Sequence, residues 1–213
     1  MRFNIAVVFT SGASLCSALV IGRSSMTGDL TTVEHLAKFD DANAGLVNGV
    51  PARGLTPLGP YENLYYDNLG VISDNVVAAG LKPQSAPNVL GYDVVANAQG
   101  TPQIRSDYDD SKTNHFDLKS FYFGCVASTQ ETTSSKPLDC SVTYTGYRNN
   151  VQIAQDTAHF TAALTTVTAN MLKVQARGFT GLDRIVFKTN GLVASTALAV
   201  LFDNLDYVVY LKE

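Results

Sequence analysis

From Val33 onward, apolar residues recur mostly at every second position, the period of a half-buried strand. No stretch longer than about two turns carries a helical stripe. His115–Val126 alternates Phe116, Leu118 and Ser120 with Asp117, Lys119 and Phe121 before turning wholly apolar, as a strand entering a core does. Cys140–Arg148 sets Val142 and Tyr144 against Thr143 and Thr145. Asn149-Asn150 then reads as a turn, and Val151–Asp156 as the returning arm of a hairpin. Ala158–Ala163, Met171–Ala176, Leu182–Lys188, Thr196–Asp203 and Tyr207–Leu211 are further strands, dense in β-branched and aromatic residues. Between Gly45 and Thr113 the texture changes, because all but one of the seven prolines lie there among many Gly and Asn. That predicts long surface loops around two or three short strands. Short strands with turn signals between them and no alternation with helices predict an all-β fold, an antiparallel β-sandwich.

The first 22 residues stand apart from this pattern: Arg2, an apolar run from Ile5, then small residues up to a polar stretch beginning at Arg23. These are the parts of a secretory signal peptide. A membrane span is the competing reading, but Thr10, Ser11, Gly12, Ser14 and Ser17 make a poor one. Residues 23–213 then form a single sandwich domain. Cleavage discards Cys16 and leaves Cys125 and Cys140, which in an oxidising compartment are expected to pair. Two free buried thiols would be the reading for a cytosolic chain.

Charge narrows the partners. The 213 residues carry 15 Lys+Arg against 19 Asp+Glu, a net charge of −4, and only 16% are charged. A basic stripe for nucleic acid or an anionic membrane is missing. An apolar fraction of 46% excludes a disordered chain. Outward strand positions are filled by Thr, Ser, Asn and Gln, which suits uncharged partners.

Sequence motifs of catalysis are absent: no G-x-S-x-G elbow, no H-E-x-x-H helix, no phosphate-binding glycine loop. His35, His115 and His159 are scattered over strands, and nothing singles out a carboxylate pair such as Glu62 and Asp67. No catalytic residues are expected. Asp107–Asn114 begins like a calcium-binding EF-hand loop, but Lys112 and Leu118 stand where the turn Gly and the bidentate Glu are required, so it reads as a solvated loop, with an irregular calcium site as the alternative. Aromatics are the better lead, since sugar rings stack on them while Asn, Asp or Arg bond the hydroxyls. Tyr61, Asn63, Tyr65, Tyr66, Asp67 and Asn68 supply that mixture and form the expected ligand-binding set. Tyr92 and Tyr108 lie in the same loop-rich region, and Tyr144, Tyr147 and Arg148 form a secondary candidate. The competing reading places these tyrosines in the core, and the absence of Trp counts against a strong sugar platform.

Three fragments carry a resemblance: Phe39-Asp40-Asp41, Gly181-Leu182-Asp183-Arg184-Ile185-Val186-Phe187 and Phe202-Asp203-Asn204-Leu205. In this order and spacing they resemble uncharacterised fungal secreted β-sandwich proteins. More distantly the chain is similar to bacterial exported jelly-roll proteins and to galactose-binding-like carbohydrate-binding modules. The resemblance implies a jelly-roll sandwich in an extracellular setting. It also implies a structural Ca2+ where the first and last strands meet, with Asp40, Asp41, Asn204 and Asp206 as ligands beside Asp203. The alternative for these residues is capping and turn chemistry at strand ends. The expected function is that of a secreted, non-catalytic, monomeric protein binding a cell-wall or matrix polysaccharide. The second expectation is a structural or effector-type protein that binds another extracellular protein, and the third is a polysaccharide-active enzyme on the same scaffold.

Overall fold

The computed structural model describes residues 30–47, 50–51, 54–73, 80–93, 100–127, 136–162, 168–190 and 198–213. The expected signal segment 1–22 lies outside them. Along the chain run β1 (Thr31–Ala37), β2 (Leu46–Val47), β3 (Val50–Pro51), β4 (Thr56–Tyr61), β5 (Leu64–Ser73), β6 (Leu81–Lys82), β7 (Asn88–Asp93), β8 (Gln103–Arg105), β9 (Thr113–Ala127), β10 (Cys140–Arg148), β11 (Val151–Phe160), β12 (Ala169–Asn170), β13 (Leu172–Gln175), β14 (Arg184–Asn190) and β15 (Leu198–Leu211).

The strands build the two leaves of an antiparallel sandwich. One leaf runs β11-β10-β14-β8-β5, with β4 along the other edge of β5. The second runs β7-β15-β9-β13, with β1 continuing the β7 edge of β15. β5 belongs to both leaves, pairing with β8 through Tyr65–Asp67 and with β7 through Gly70–Ser73. Within this large sheet only β4–β5 and β10–β11 pair as sequence neighbours. The other pairings cross over, as in a jelly roll and unlike a meander.

The leaves close on an aromatic core. Phe121 of β9 meets Tyr144 of β10 edge-on at 5.3 Å between ring centroids, and Phe187 of β14 lies 4.8 Å from Phe202 of β15. These geometries add to the area they bury. The Cys125–Cys140 disulfide ties β9 to the start of β10, and so one leaf to the other, with Cα atoms 6.2 Å apart.

The expected loop region 45–113 holds β2 to β8 and includes the ten-residue β5, so reading it as loops around a few short strands is corrected. Two of its glycines, Gly70 and Gly91, mark close approach of backbones inside strands. A Cβ on Gly70 would lie 2.8 Å from the Thr56 carbonyl oxygen, and one on Gly91 would lie 2.7 Å from that of Val200. Two of its prolines, Pro57 and Pro60, sit on β4, which flanks only β5. Val151–Asp156 and the first part of the expected Ala158–Ala163 are one continuous strand, β11, which ends at Phe160; Ala163 lies outside the described residues. The described part of Thr196–Asp203, from Leu198, and Tyr207–Leu211 likewise merge into β15, which carries an extra residue against β9 between Asp203 and Asp206, where Asn204 takes a left-handed φ of 46°.

Candidate functional site

The segment expected to bind ligand is a hairpin. Glu62 and Asn63 are the two residues between β4 and β5, with φ of 44° and 67°, the left-handed pair of a tight hairpin turn. Tyr207 OH donates to the Glu62 carbonyl at 3.0 Å, and Thr113 Oγ1 to that of Asn63 at 2.7 Å. The pleat of β5 then divides the expected set. Tyr66 turns inward, fully buried, its hydroxyl 3.4 Å from that of Tyr207. Tyr61 packs on Phe39 and donates to Asp41 Oδ1 at 2.6 Å. Asn63 Oδ1 bonds His35 Nε2 at 2.9 Å, and Asn68 Nδ2 donates to the Thr101 carbonyl at 3.3 Å. Tyr65 and Asp67 are the ones that reach the outer face of the leaf.

There they join residues from four other strands. Register pairs place Tyr65 (β5), Arg105 (β8), Arg184 (β14), Tyr147 (β10) and Gln152 (β11) in one row across the leaf. The Arg105 guanidinium lies over the Tyr65 ring at 4.4 Å from its centroid, and that of Arg184 over the Tyr147 ring at 4.8 Å. Arg105 is also 3.4 Å from Asp67, which accepts a 3.0 Å hydrogen bond from Gln103. The next row is Asp67, Gln103, Val186, Thr145 and Gln155. Beyond it come Lys188, Thr143 and Thr157, then Asn190, Ser141 and His159. Hydroxyls pair across these rows, Thr143 with Thr157 at 2.9 Å and Ser141 Oγ with His159 Nδ1 at 2.7 Å. Two tyrosine rings, two guanidiniums and a field of hydroxyls and amides thus share one solvent-facing surface.

A cleft of about 480 Å³ opens beside the tyrosine row. Tyr108, Asn114, Asn149, Asn150, Asp183, Arg184 and Lys212 are among its lining residues. Tyr108 leans on Tyr65, ring centroids 5.9 Å apart, and so carries the aromatic surface into the cleft. Asn149 and Asn150 form the β10–β11 turn with φ of 49° and 62°, as their sequence predicts. The Asp183 carboxylate accepts the Asn149 backbone N–H. Arg184 donates to Asn150 Oδ1 at 3.3 Å while its Nε, shielded from solvent, has no hydrogen-bond partner among the described residues. Arg148 holds the cleft floor from below, donating to Asn114 Oδ1 at 3.1 Å and to the Gly181 carbonyl at 3.3 Å. Burial, with the Arg148 charge adding, holds the nearby His115 imidazole below its ordinary pKa, and its ring stacks on Tyr210 at 4.2 Å.

Of the secondary candidates, Tyr147 lies on the face, Arg148 supports it, and Tyr144 is core. Tyr92 is also core, its hydroxyl 2.7 Å from Thr189 Oγ1.

The residues expected to hold Ca2+ lie where β1 meets β15, as the resemblance implies, but each has its own partner. Asp41 accepts from Tyr61, and Asp40 accepts from the Asn88 backbone at 3.4 Å. Asn204 Oδ1 accepts from Ser85 Oγ at 2.9 Å, and Asp206 acts on Lys119. Asp203 accepts from the Ser85 N–H at 2.7 Å, from Ser85 Oγ at 3.0 Å and from the Asn204 N–H at 2.7 Å. Among the described residues no three His, Cys, Asp or Glu side chains converge as a metal site. The oxygens of Asp40, Asp203 and Asn204 fasten the segments around Ser85 and Asn88 to the ends of β1 and β15.

No family model matches the chain, and no curated protein matches it. Among solved structures it is similar to a DUF4465 family protein from Bacteroides caccae, with a TM-score of 0.50 and 14% identity over 82% of this chain and 98% of that one. That likeness extends to the fold alone. TmCBM61 in complex with β-1,4-galactotriose superposes with a TM-score of 0.27 and 6% identity over 70% of this chain and 83% of that one, too distant to carry an argument.

Sequence reasoning missed Arg105, Gln103 and Arg184 as site residues. Arg184 lay inside a fragment read for its fold resemblance. The available sign was the hairpin itself, whose outward positions Thr143, Thr145 and Tyr147 mark one face of a strand.

Proposed function

We propose that this is a secreted, non-catalytic carbohydrate-binding protein whose ligand lies on the outer face of the β5-β8-β14-β10-β11 leaf and enters the cleft at Tyr108. The observation that carries this reading is the row Tyr65-Arg105-Arg184-Tyr147, continued by rows of Thr, Gln and Asn. Ring surface takes the apolar side of a pyranose, and side chains with both donors and acceptors take its hydroxyls. The disulfide supports an oxidising compartment.

The test is depletion of the chain from solution by insoluble cellulose, xylan, galactan and β-glucan. Retention on at least one, reduced by Tyr147→Ala, is expected; retention on none rejects the reading. A protein partner is the second reading, and Val151 and Ile153, 63% and 46% exposed at the start of the edge strand β11, favour it. In that case Val151→Ser/Ile153→Ser would abolish association with an extracellular protein and leave polysaccharide retention at background.

A further inference from the structure

The outer face extends well past its tyrosines. Six residues along β10 from Tyr147, the trio His159, Ser141 and Asn190 closes it. At ~3.3 Å per strand residue that is about 20 Å, the length of several sugar units in an extended chain. A second cleft, of about 330 Å³, opens at this far end, and His159, Ser141, Asn190, Asp139 and Thr161 contribute to its lining.

The far cleft, like the first, offers hydroxyl, amide and carboxylate groups, with an imidazole where the first has a tyrosine ring and two cations. Ser141 Oγ and His159 Nδ1 hold each other at 2.7 Å, which fixes an exposed imidazole whose Nε2 has no partner among the described residues. Asp139 Oδ1 is anchored by the Ala162 N–H at 2.7 Å, and Asn190 is steadied by Thr143 Oγ1. Between the two clefts the floor is made of Thr143, Thr157, Thr145 and Gln155 on β10 and β11, with Val186 and the exposed Lys188 beside them on β14, and no ring stands among them. A mostly polar floor with an open cleft at each end fits an elongated ligand lying along β10 and β14. A monosaccharide would occupy one end and leave the other unused.

We infer that the protein binds the interior of a linear polysaccharide, several sugar units at a time, with Ser141, His159 and Asn190 as a distal subsite. This rests on the glycan reading of the face. The whole length is engaged only when the chain spans both clefts, so affinity depends on ligand length.

The experiment is calorimetric titration of the full chain with partial hydrolysates, from disaccharide to hexasaccharide, of whichever of cellulose, xylan, galactan and β-glucan retains it. Affinity is expected to rise about tenfold or more along the series and then level off, since each added sugar unit brings further hydrogen bonds until the chain spans both clefts. His159→Ala and Asn190→Ala are expected to weaken the hexasaccharide several-fold and leave the disaccharide unchanged, while Tyr147→Ala weakens both. A disaccharide bound as tightly as the hexasaccharide, or distal variants that bind the hexasaccharide like the parent, overturns the extended-chain inference and leaves the glycan reading standing. Retention on none of the four polysaccharides overturns both.

Discussion

Tyr65 of β5 and Tyr147 of β10 stand in one row across four strands, each with an arginine guanidinium over its ring, although 82 positions separate them in sequence. Arg105 and Arg184, the two cations between them, are direct cross-strand partners. Like charges placed so oppose each other. Asp67 and Asp107 lie beside Arg105, whereas among the described residues Arg184 meets Asn150 and the Tyr147 ring and forms no ion pair.

Replacing either tyrosine by Ala is expected to lower glycan affinity roughly tenfold, about 1–2 kcal/mol for a lost stacking surface. Both side chains are half-exposed, so the melting temperature should change little. Titration of Tyr147→Phe separates the contributions: affinity close to the parent assigns the effect to the ring, and a full loss assigns it to the hydroxyl.

The disulfide closes a loop of 15 residues. Cys125→Ala/Cys140→Ala is expected to cost about 3 kcal/mol by the chain-entropy estimate. Denaturant unfolding of parent and variant reads this directly, and the parent in reductant should approach the variant.

Asp203 is fully buried, and burial raises its carboxyl above the ordinary value while the Ser85 and Asn204 bonds oppose that. Asp203→Asn replaces one of its two acceptor oxygens by a donor facing a backbone or hydroxyl donor. The expected loss is about 1–3 kcal/mol, the cost of a buried polar group left without a partner. Proteolysis near Ser85 should rise together with the fall in unfolding free energy.

Glu62 gives a prediction in pH. Burial, with the Asp41 charge adding and His35 opposing, raises its carboxyl above the usual range, and its Oε2 is shielded and without a hydrogen bond. A carboxyl raised on folding penalises the folded state only when ionised. The penalty is absent below the unfolded value of about 4.3 and grows as pH rises through the folded-state value. Glu62→Gln is therefore expected to be more stable than the parent at neutral pH, with the gap closing toward pH 4. A gap that stays constant across that range would show that the carboxyl is not raised.

Strand content was legible wherever one face of a strand meets water. β9, β10, β14 and the Asn149-Asn150 turn follow directly from alternation and turn chemistry. β5 and β7 were hidden because they lie where the leaves meet and use glycine for close approach, which in sequence looks the same as a loop. The binding segment was half legible for a related reason: Tyr65 and Tyr66 are adjacent, and only the pleat of β5 decides which ring faces the core.

The sequence by itself determined that the chain is an all-β sandwich with a polar, weakly charged surface and a cysteine pair positioned to bond, since period, composition and cysteine count are local or additive properties. Only the tertiary structure decided which tyrosines meet which arginines. A row across β5, β8, β14, β10 and β11 is set by register between strands far apart in the chain, and a shift of one residue in any of them would send its side chains to the other face.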